Sequence, residues 1–198
     1  GTFTRLVDAL LLLEQEPWGV WPEVERAGMR AWMADYLAWN LESKIGKDEG
    51  KAGNNHGTYY DMQAIALALY TRQLEIAKKI AQNVSDVRIA SQVEPDGAQP
   101  HELGRPNSRG YSVMNAMGFV NLTLLSRHVG EDLWTFETED GSSLAKVLDW
   151  FVPYIREEKE WTWQQIHDYK SASYMPLYHL AAAHLDARYT DILADLPT

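Results

Sequence analysis

The chain has 198 residues, of which 45% are hydrophobic and 11% aromatic, and it carries a formal net charge of −10. This length and composition indicate one globular domain, or part of one, with enough apolar side chains for a sizeable core. The acidic charge argues against broad nucleic-acid binding, which needs a basic face, and no apolar run approaches the length of a membrane span. Cysteine is absent, which excludes disulfides and thiolate sites.

The first part of the chain has helical periodicity. Apolar residues at steps of three and four predict a helix over residues 3–15, ended by Pro17 and Gly19. A second helix is predicted from Pro22, a favourable residue for a first turn, to about Ile45. The polar residues 46–53 that follow predict a loop.

The pattern continues with a third helix predicted over residues 59–83, apolar nearly all round in 64–70 and therefore expected to be buried. A fourth helix is predicted over residues 84–93. The Glu-Pro-Asp-Gly sequence at 94–97 predicts a turn, and an irregular segment is expected up to about Asn107.

The last part of the chain predicts three more helical regions. The first covers residues 111–129, and after a loop at 130–141 the second starts at a Ser142 or Ser143 cap and runs to about residue 155. Residues 161–169 fit no single pattern, and 174–185 with 188–193 predict a closing helical pair. No alternating strand pattern is found, so the sequence predicts an all-α fold of stacked antiparallel helical hairpins.

Two polar clusters stand out between these helices. The segment 53–61 places Asn54, Asn55 and His56 immediately before an apolar helical stretch, and the segment 99–112 holds Arg105, Arg109 and Tyr111. Each residue alone has an ordinary structural explanation: asparagines cap helices, histidine and tyrosine pack, and arginines form surface ion pairs. Together they supply the amide, imidazole, guanidinium and phenol groups that can neutralise a carboxylate and move a proton beside it.

The motifs resemble those of a known enzyme family. The run Asn-Asn-His-Gly-Thr-Tyr-Tyr-Asp-Met-Gln at 54–63 resembles the Asn-Asn-His motif of the alginate-lyase superfamily of polysaccharide lyases. Residues 94–100 and 102–105, with Tyr111, resemble its second motif, and residues 140–144, 153–154 and 161–166 fit its downstream pattern. The resemblance covers about residues 1–195. It implies part of an (α/α) toroid of helical hairpins around a cleft, and cleavage of a uronic-acid polysaccharide by β-elimination.

The resemblance also implies how the chain is organised and where it acts. Domains of this family usually begin further upstream, so residues 1–198 are expected to form a single helical domain that lacks its N-terminal helices. An upstream segment of the same protein is then expected to complete the toroid. Secretion or a periplasmic location is implied by the resemblance alone.

The expected chemistry gives each polar residue a role. Asn55, His56 and Arg105 are suited to neutralising the uronate carboxylate, so that the C5 proton becomes easier to remove. In β-linked mannuronate and glucuronate the C5 proton and the O4 leaving group lie on one face of the ring, so one side chain could serve both proton transfers. The resemblance implies that Tyr111 is this residue. Substrate-binding roles are expected for six further residues: Asn54, Tyr60, Gln63, His101, Arg109 and Trp163.

Two other functions are compatible with the residues. A glycoside hydrolase would need two carboxylates facing each other across the bond, and Asp61, Asp96 and Glu102 are the candidates. A non-catalytic helical scaffold that binds uronate oligosaccharides would not need Tyr111 as a proton shuttle. We expect no cofactor, and no catalytic metal, because no second histidine follows His101 at helical spacing. The residues do not distinguish alginate from glucuronan as the substrate.

Overall fold

The computed structural model describes residues 2–15, 19 and 21–196, and throughout this part of the chain the regular structure is helical. The α-helices are, in chain order, α1 (Thr2–Gln15), α2 (Glu23–Glu42), α3 (Lys44–Gly50), α4 (Asn55–Tyr70), α5 (Leu74–Val84), α6 (Ala90–Gln92), α7 (Pro100–Leu103), α8 (Ser108–Ser126), α9 (Leu144–Ile155), α10 (Met175–His184) and α11 (Thr190–Ala194). The predicted all-α fold is therefore confirmed. No helix in the described ranges is both long and apolar enough to cross a membrane.

The helix predicted over residues 59–83 is two helices rather than one. The chain turns between α4 and α5, where Arg72 has a φ of 60° and leaves the right-handed helical region. The helix also begins earlier than predicted, at Asn55, because the Asn54 side chain caps it by accepting a hydrogen bond from the His56 N–H at 3.1 Å.

The loop predicted at residues 46–53 is also partly helical. Its first half belongs to α3, which is capped by Ser43: the Ser43 side chain accepts a hydrogen bond from the Gly46 N–H at 3.0 Å. The irregular segment before Asn107 likewise contains the short helix α7. The cap predicted before α9 is confirmed at Ser143. Pro17, predicted to end the first helix, lies outside the described residues.

Helix α4 forms the centre of the core. It packs against α8 and α5, and also against α1 and α2. Its residues 64–68 are fully buried, as its uniformly apolar sequence predicted. A side chain at Gly118 of α8 would approach the Thr58 methyl group to 2.8 Å, so glycine lets the two helices approach closely here. The first turn of α4 thus lies against the middle of α8.

A buried arginine fixes the chain just before α4. Helix α5 continues through a single π-helical stretch, Ser85–Ile89, into α6, and this stretch directs Arg88 inward, where the residue is 2% exposed. The Arg88 guanidinium donates to Asp61 Oδ2 at 2.6 Å and to the Gly50 and Ala52 carbonyls at 2.7 and 2.9 Å. It therefore ties the α3–α4 connection to the body of α4.

We predict that Arg88→Met lowers the free energy of unfolding by about 3–5 kcal/mol, because the Asp61 carboxylate would stay buried without its cation. Urea denaturation followed by circular dichroism measures the loss. The matched control is Arg156→Met, which removes an ion pair with Asp195 at the exposed surface and should change stability little. Equal losses in the two variants would contradict the role given to Arg88.

Candidate active site at the starts of α4 and α8

The Asn-Asn-His motif forms the first turn of α4. Asn54 caps the helix, the buried Asn55 is its first residue, and the imidazole of His56 is about half exposed. His56 Nδ1 lies 2.6 Å from Glu49 Oε1 of α3. A carboxylate only accepts hydrogen bonds, so His56 donates through Nδ1 and its Nε2 atom is left for another partner.

Asn55 is held by a buried carboxylate from the second cluster. Glu102 of α7, 1% exposed, accepts from the Asn55 backbone N–H at 2.6 Å. Its two oxygens also lie 3.0 and 2.8 Å from Asn55 Nδ2. Because the Arg105 N–H donates to the Glu102 carbonyl at 3.0 Å, this contact brings the segments that carry Asn55 and Arg105 together.

Arg105 and Tyr111 form a direct pair. The guanidinium carbon of Arg105 lies 3.9 Å from the centre of the Tyr111 ring, within the range of a cation–π contact. Both side chains are partly exposed. The positive charge therefore lies against the phenol that the resemblance assigned to proton transfer.

Arg109 is placed in a different environment. Its guanidinium lies 4.8–5.4 Å from the ring centres of Trp161, Tyr169 and Tyr174 and donates to the Tyr174 hydroxyl at 2.9 Å. A second donor reaches the Tyr154 carbonyl at 3.3 Å. These contacts hold the segment after α9 against the start of α8. A substrate-binding role for Arg109 remains a prediction, and the contacts seen here are structural.

The segment at 161–169, ambiguous by sequence, is an extended strap beside the site. The N–H of Ser108 donates to the Gln164 carbonyl at 3.2 Å, and the N–H of Ile166 donates to the Pro106 carbonyl at 3.0 Å. Trp163 packs its half-buried ring among other aromatic rings, with centres 5.2–6.2 Å away: Trp150, Tyr154 and Trp161. The expected sugar-binding residue Trp163 thus lies on a segment that is anchored just after Arg105.

The remaining predicted binding residues are distributed along α4 and α7. Tyr60 donates its hydroxyl to the Asn40 carbonyl at 3.0 Å, and Gln63 Nε2 donates to the Tyr36 hydroxyl at 3.2 Å, so both face α2. His101 is exposed on α7. Asn54 is used as the cap of α4. Glu102 therefore links Asn55 to the segment of Arg105 and Tyr111, and His56 follows Asn55 in the first turn of α4. Tyr60 and Gln63 instead face α2.

Tyr59 and Tyr60 lie in the first turns of α4, and the hydroxyl of each has a raised pKa. Desolvation raises the pKa of the Tyr59 hydroxyl, which donates to the Met114 carbonyl at 3.0 Å. Desolvation, followed by the Asp61 charge, raises the pKa of Tyr60. Phenols with a raised pKa stay protonated near neutral pH, so these two tyrosines can act as donors but are poorly suited to accept a proton.

A buried network of polar side chains connects the helices that carry the candidate site. Asn115 Nδ2 of α8 donates to the side-chain oxygens of Gln92 and Gln99 at 3.1 and 2.9 Å. Thr58 of α4 donates to the same Gln92 oxygen at 3.2 Å, and Gln99 Nε2 donates to the Ser112 carbonyl at 3.1 Å. Hydrogen bonds of this kind link α4, α6 and α8 directly beneath the functional side chains and restrict their relative movement.

The comparisons with known proteins agree with this arrangement. Residues 2–161 match the protein family described as alginate lyase. The chain belongs to the alginate lyase family. A solved structure of an alginate lyase from Bacteroides ovatus is similar, with 32% sequence identity and a TM-score of 0.90 over 98% of this chain. The chain spans 52% of the length of that enzyme. None of the curated protein sequences matches the chain.

Membership in this family gives the helical hairpins their architectural context. The all-α chain corresponds to part of the toroid-like fold of the matched lyase, as the resemblance implied. Three supporting residues were not predicted for the roles found here: Glu49, Arg88 and Glu102. The sequence offered a weak signal only for Glu102, which was considered as a hydrolase carboxylate. Its burial against Asn55 was not visible in any local pattern.

Proposed function

We propose that the protein is a polysaccharide lyase that cleaves a uronic-acid polysaccharide by β-elimination. The observation that carries the proposal is the contact of the Arg105 guanidinium with the Tyr111 ring, in a site linked through Glu102 to Asn55. Family membership and the similarity to the Bacteroides ovatus enzyme support it. Alginate rich in mannuronate is the first candidate substrate, and glucuronan is the second.

In the proposed mechanism, Asn55, Arg105 and the imidazolium form of His56, through its Nε2–H, donate hydrogen bonds to the uronate carboxylate. Neutralising this group stabilises the charge that moves onto it when the C5 proton leaves. The Tyr111 oxygen, as the phenolate, removes that proton, the C5–H electrons form the C4–C5 double bond, and the C4–O4 bond breaks. The departing O4 atom takes a proton from Tyr111 on the same face of the ring. Negative charge on the tyrosine oxygen is stabilised by Arg105.

The hydrolase alternative has little support from the carboxylates that it needs. Asp61 is ion-paired with Arg88 in the core, and Glu102 is buried against Asn55. Asp96 accepts a hydrogen bond from the Ala98 N–H within an exposed turn. All three carboxylates are thus held by contacts within the protein, whereas hydrolysis of a glycosidic bond requires two that face the bond.

The activity itself is tested by incubation with pure polymannuronate, polyguluronate and glucuronan while the ultraviolet absorbance of the new C4–C5 alkene is followed. A lyase generates this conjugated product, whereas a hydrolase or a binding protein does not. We expect alkene formation on polymannuronate or glucuronan, whose geometry allows one residue to serve both proton steps. New reducing ends without the alkene would overturn the proposal in favour of hydrolysis.

We predict that Tyr111→Phe lowers kcat by a factor of about 10² to 10⁴, the usual contribution of a general acid–base group. The substitution removes only the hydroxyl, so oligosaccharide binding, measured by calorimetry, and the melting temperature should be retained. Tyr59→Phe is the matched control, because its hydroxyl donates to a backbone carbonyl, and it should keep most of the activity. A Tyr111→Phe variant with more than about a tenth of the wild-type kcat would remove Tyr111 from this role.

We predict that Arg105→Lys strongly reduces turnover with little change in melting temperature, because lysine keeps the charge but loses the planar fork of donors. Arg109→Lys is the matched control. Its guanidinium bridges Tyr174 and the Tyr154 carbonyl among aromatic rings, so this variant should instead lose thermal stability. Wild-type turnover in Arg105→Lys would argue against its carboxylate-binding role.

We also propose that an upstream segment of the same polypeptide covers the outer apolar face of α1 and α2. This face exposes large side chains, including Leu12 at 65%, Val24 at 78% and Trp32 at 52%. Four aromatic rings from the two helices also stack in a near-parallel group: Phe3, Trp32, Tyr36 and Trp39. Exposed apolar patches of this kind mark interaction surfaces, and the matched lyase has a further 48% of its length beyond the aligned part.

This proposal predicts that a longer protein with the upstream segment is more soluble and has a higher melting temperature than the 198-residue chain. The double substitution Trp32→Ser with Trp39→Ser should reduce self-association of the short chain. In the longer protein the same substitutions should lower the melting temperature, because they would remove buried contacts. Equal solubility and melting temperature of the two wild-type proteins would contradict the proposal.

A further inference from the structure

We infer that Glu102 is a positioning residue that sets the orientation of the Asn55 carboxamide towards the substrate. The inference rests on the proposed function, because it concerns the group that would neutralise the uronate carboxylate. Glu102 is 1% exposed, so its side chain cannot contact a polysaccharide directly. It acts through its three contacts with Asn55.

The first part of the argument is chemical. A carboxylate can only accept hydrogen bonds, so the Asn55 carboxamide must present its nitrogen to Glu102, as the distances of 2.8 and 3.0 Å require. One N–H of the Asn55 amide is used by this contact. The second N–H is not used by Glu102, and in the proposed mechanism it donates to the substrate carboxylate. A neutral amide at position 102 would not impose this orientation.

The second part is electrostatic. Asn55 is the first residue of α4, and its backbone N–H donates to Glu102 Oε1 at 2.6 Å. The Glu102 carboxylate therefore occupies the N-terminal end of the helix, where unsatisfied N–H groups and the helix dipole favour an anion. This placement allows a charged group to stay buried beside Asn55.

The third part concerns the distance between Asn55 and Arg105. Glu102 lies on α7, three residues before Arg105, and the Arg105 N–H donates to its carbonyl at 3.0 Å. One residue thus contacts Asn55 through its side chain and Arg105 through its backbone. Shifting Glu102 would move both groups that we propose to bind the same carboxylate. Misplacement by about 1 Å can cost a factor of about 10² in rate.

The experiment is a double-mutant cycle between Glu102 and Asn55. In Glu102→Gln the new Nε2 donor would face the Asn55 Nδ2 donor, and two donors cannot form a hydrogen bond. The Asn55 carboxamide should therefore flip by 180°, and kcat should fall by about 10²-fold. In an Asn55→Ala background the same substitution should have little further effect on kcat. Glu14→Gln is the matched control. Glu14 binds Arg30 at 2.6 Å and the hydroxyl of Tyr70, which lies at the opposite end of α4 from Asn55, so kcat should be unchanged.

The inference would be overturned if the kcat loss of the double variant equalled the product of the losses in Glu102→Gln and Asn55→Ala, because the two residues would then act independently. A wild-type kcat in Glu102→Gln would also overturn it. If Glu102→Gln does not fold, Glu102→Asp takes its place, since it keeps the acceptor and shortens the side chain by one methylene. Its effect on kcat should likewise vanish without Asn55.

A second readout does not depend on the lyase activity. Nuclear magnetic resonance of the Asn55 side-chain amide should show one proton that exchanges slowly with water in the wild type, and faster exchange of this proton in Glu102→Gln. If no uronan is cleaved, the proposed function fails while this measurement still tests the contact. Equally fast exchange in both proteins would overturn the positioning role.

Discussion

The guanidinium of Arg88 joins the helical core to the segment that carries Asn55 and His56. Its donors reach Asp61 on α4 and the carbonyls of Gly50 and Ala52 in the preceding connection. Burying two charges costs several kcal/mol per ion, so such a pair contributes little net stability compared with apolar packing. Its effect here is geometric: it fixes where the chain enters α4, and therefore where the motif residues begin.

Glycine at position 57 is a direct consequence of this arrangement. A side chain there would come within 2.1 Å of the Ala52 carbonyl oxygen and 2.3 Å of an Arg88 nitrogen. The Asn-Asn-His-Gly order therefore has a steric reason as well as a chemical one. Asn54 caps the helix, Asn55 and His56 present polar groups, and Gly57 makes room for the arginine that positions all three.

Local patterns predicted most of the helices, because periodicity reports which face of a helix is buried. They failed where the deciding contact was a capping or turn interaction, as at Ser43, which starts α3, or at Arg72, which ends the run joining α4 to α5. The pairing of Asn55 with Glu102 spans 47 residues, and no local pattern reports such a contact. For the same reason the sequence could not place Arg109 among the rings of Trp161, Tyr169 and Tyr174.

The proposed substrate, an acidic polysaccharide, sets a requirement on the charge distribution of this acidic protein. With a net charge of −10, the protein as a whole repels a polyanion, so binding depends on a local region in which donors outnumber carboxylates. Glu49 and Glu102 near the site accept hydrogen bonds from His56 Nδ1 and from the Asn55 amide, which leaves His56 Nε2 and the second N–H of the Asn55 amide for other partners. In the proposed function these two carboxylates position Asn55 and His56 for the substrate, and Arg105 adds the positive charge beside Tyr111.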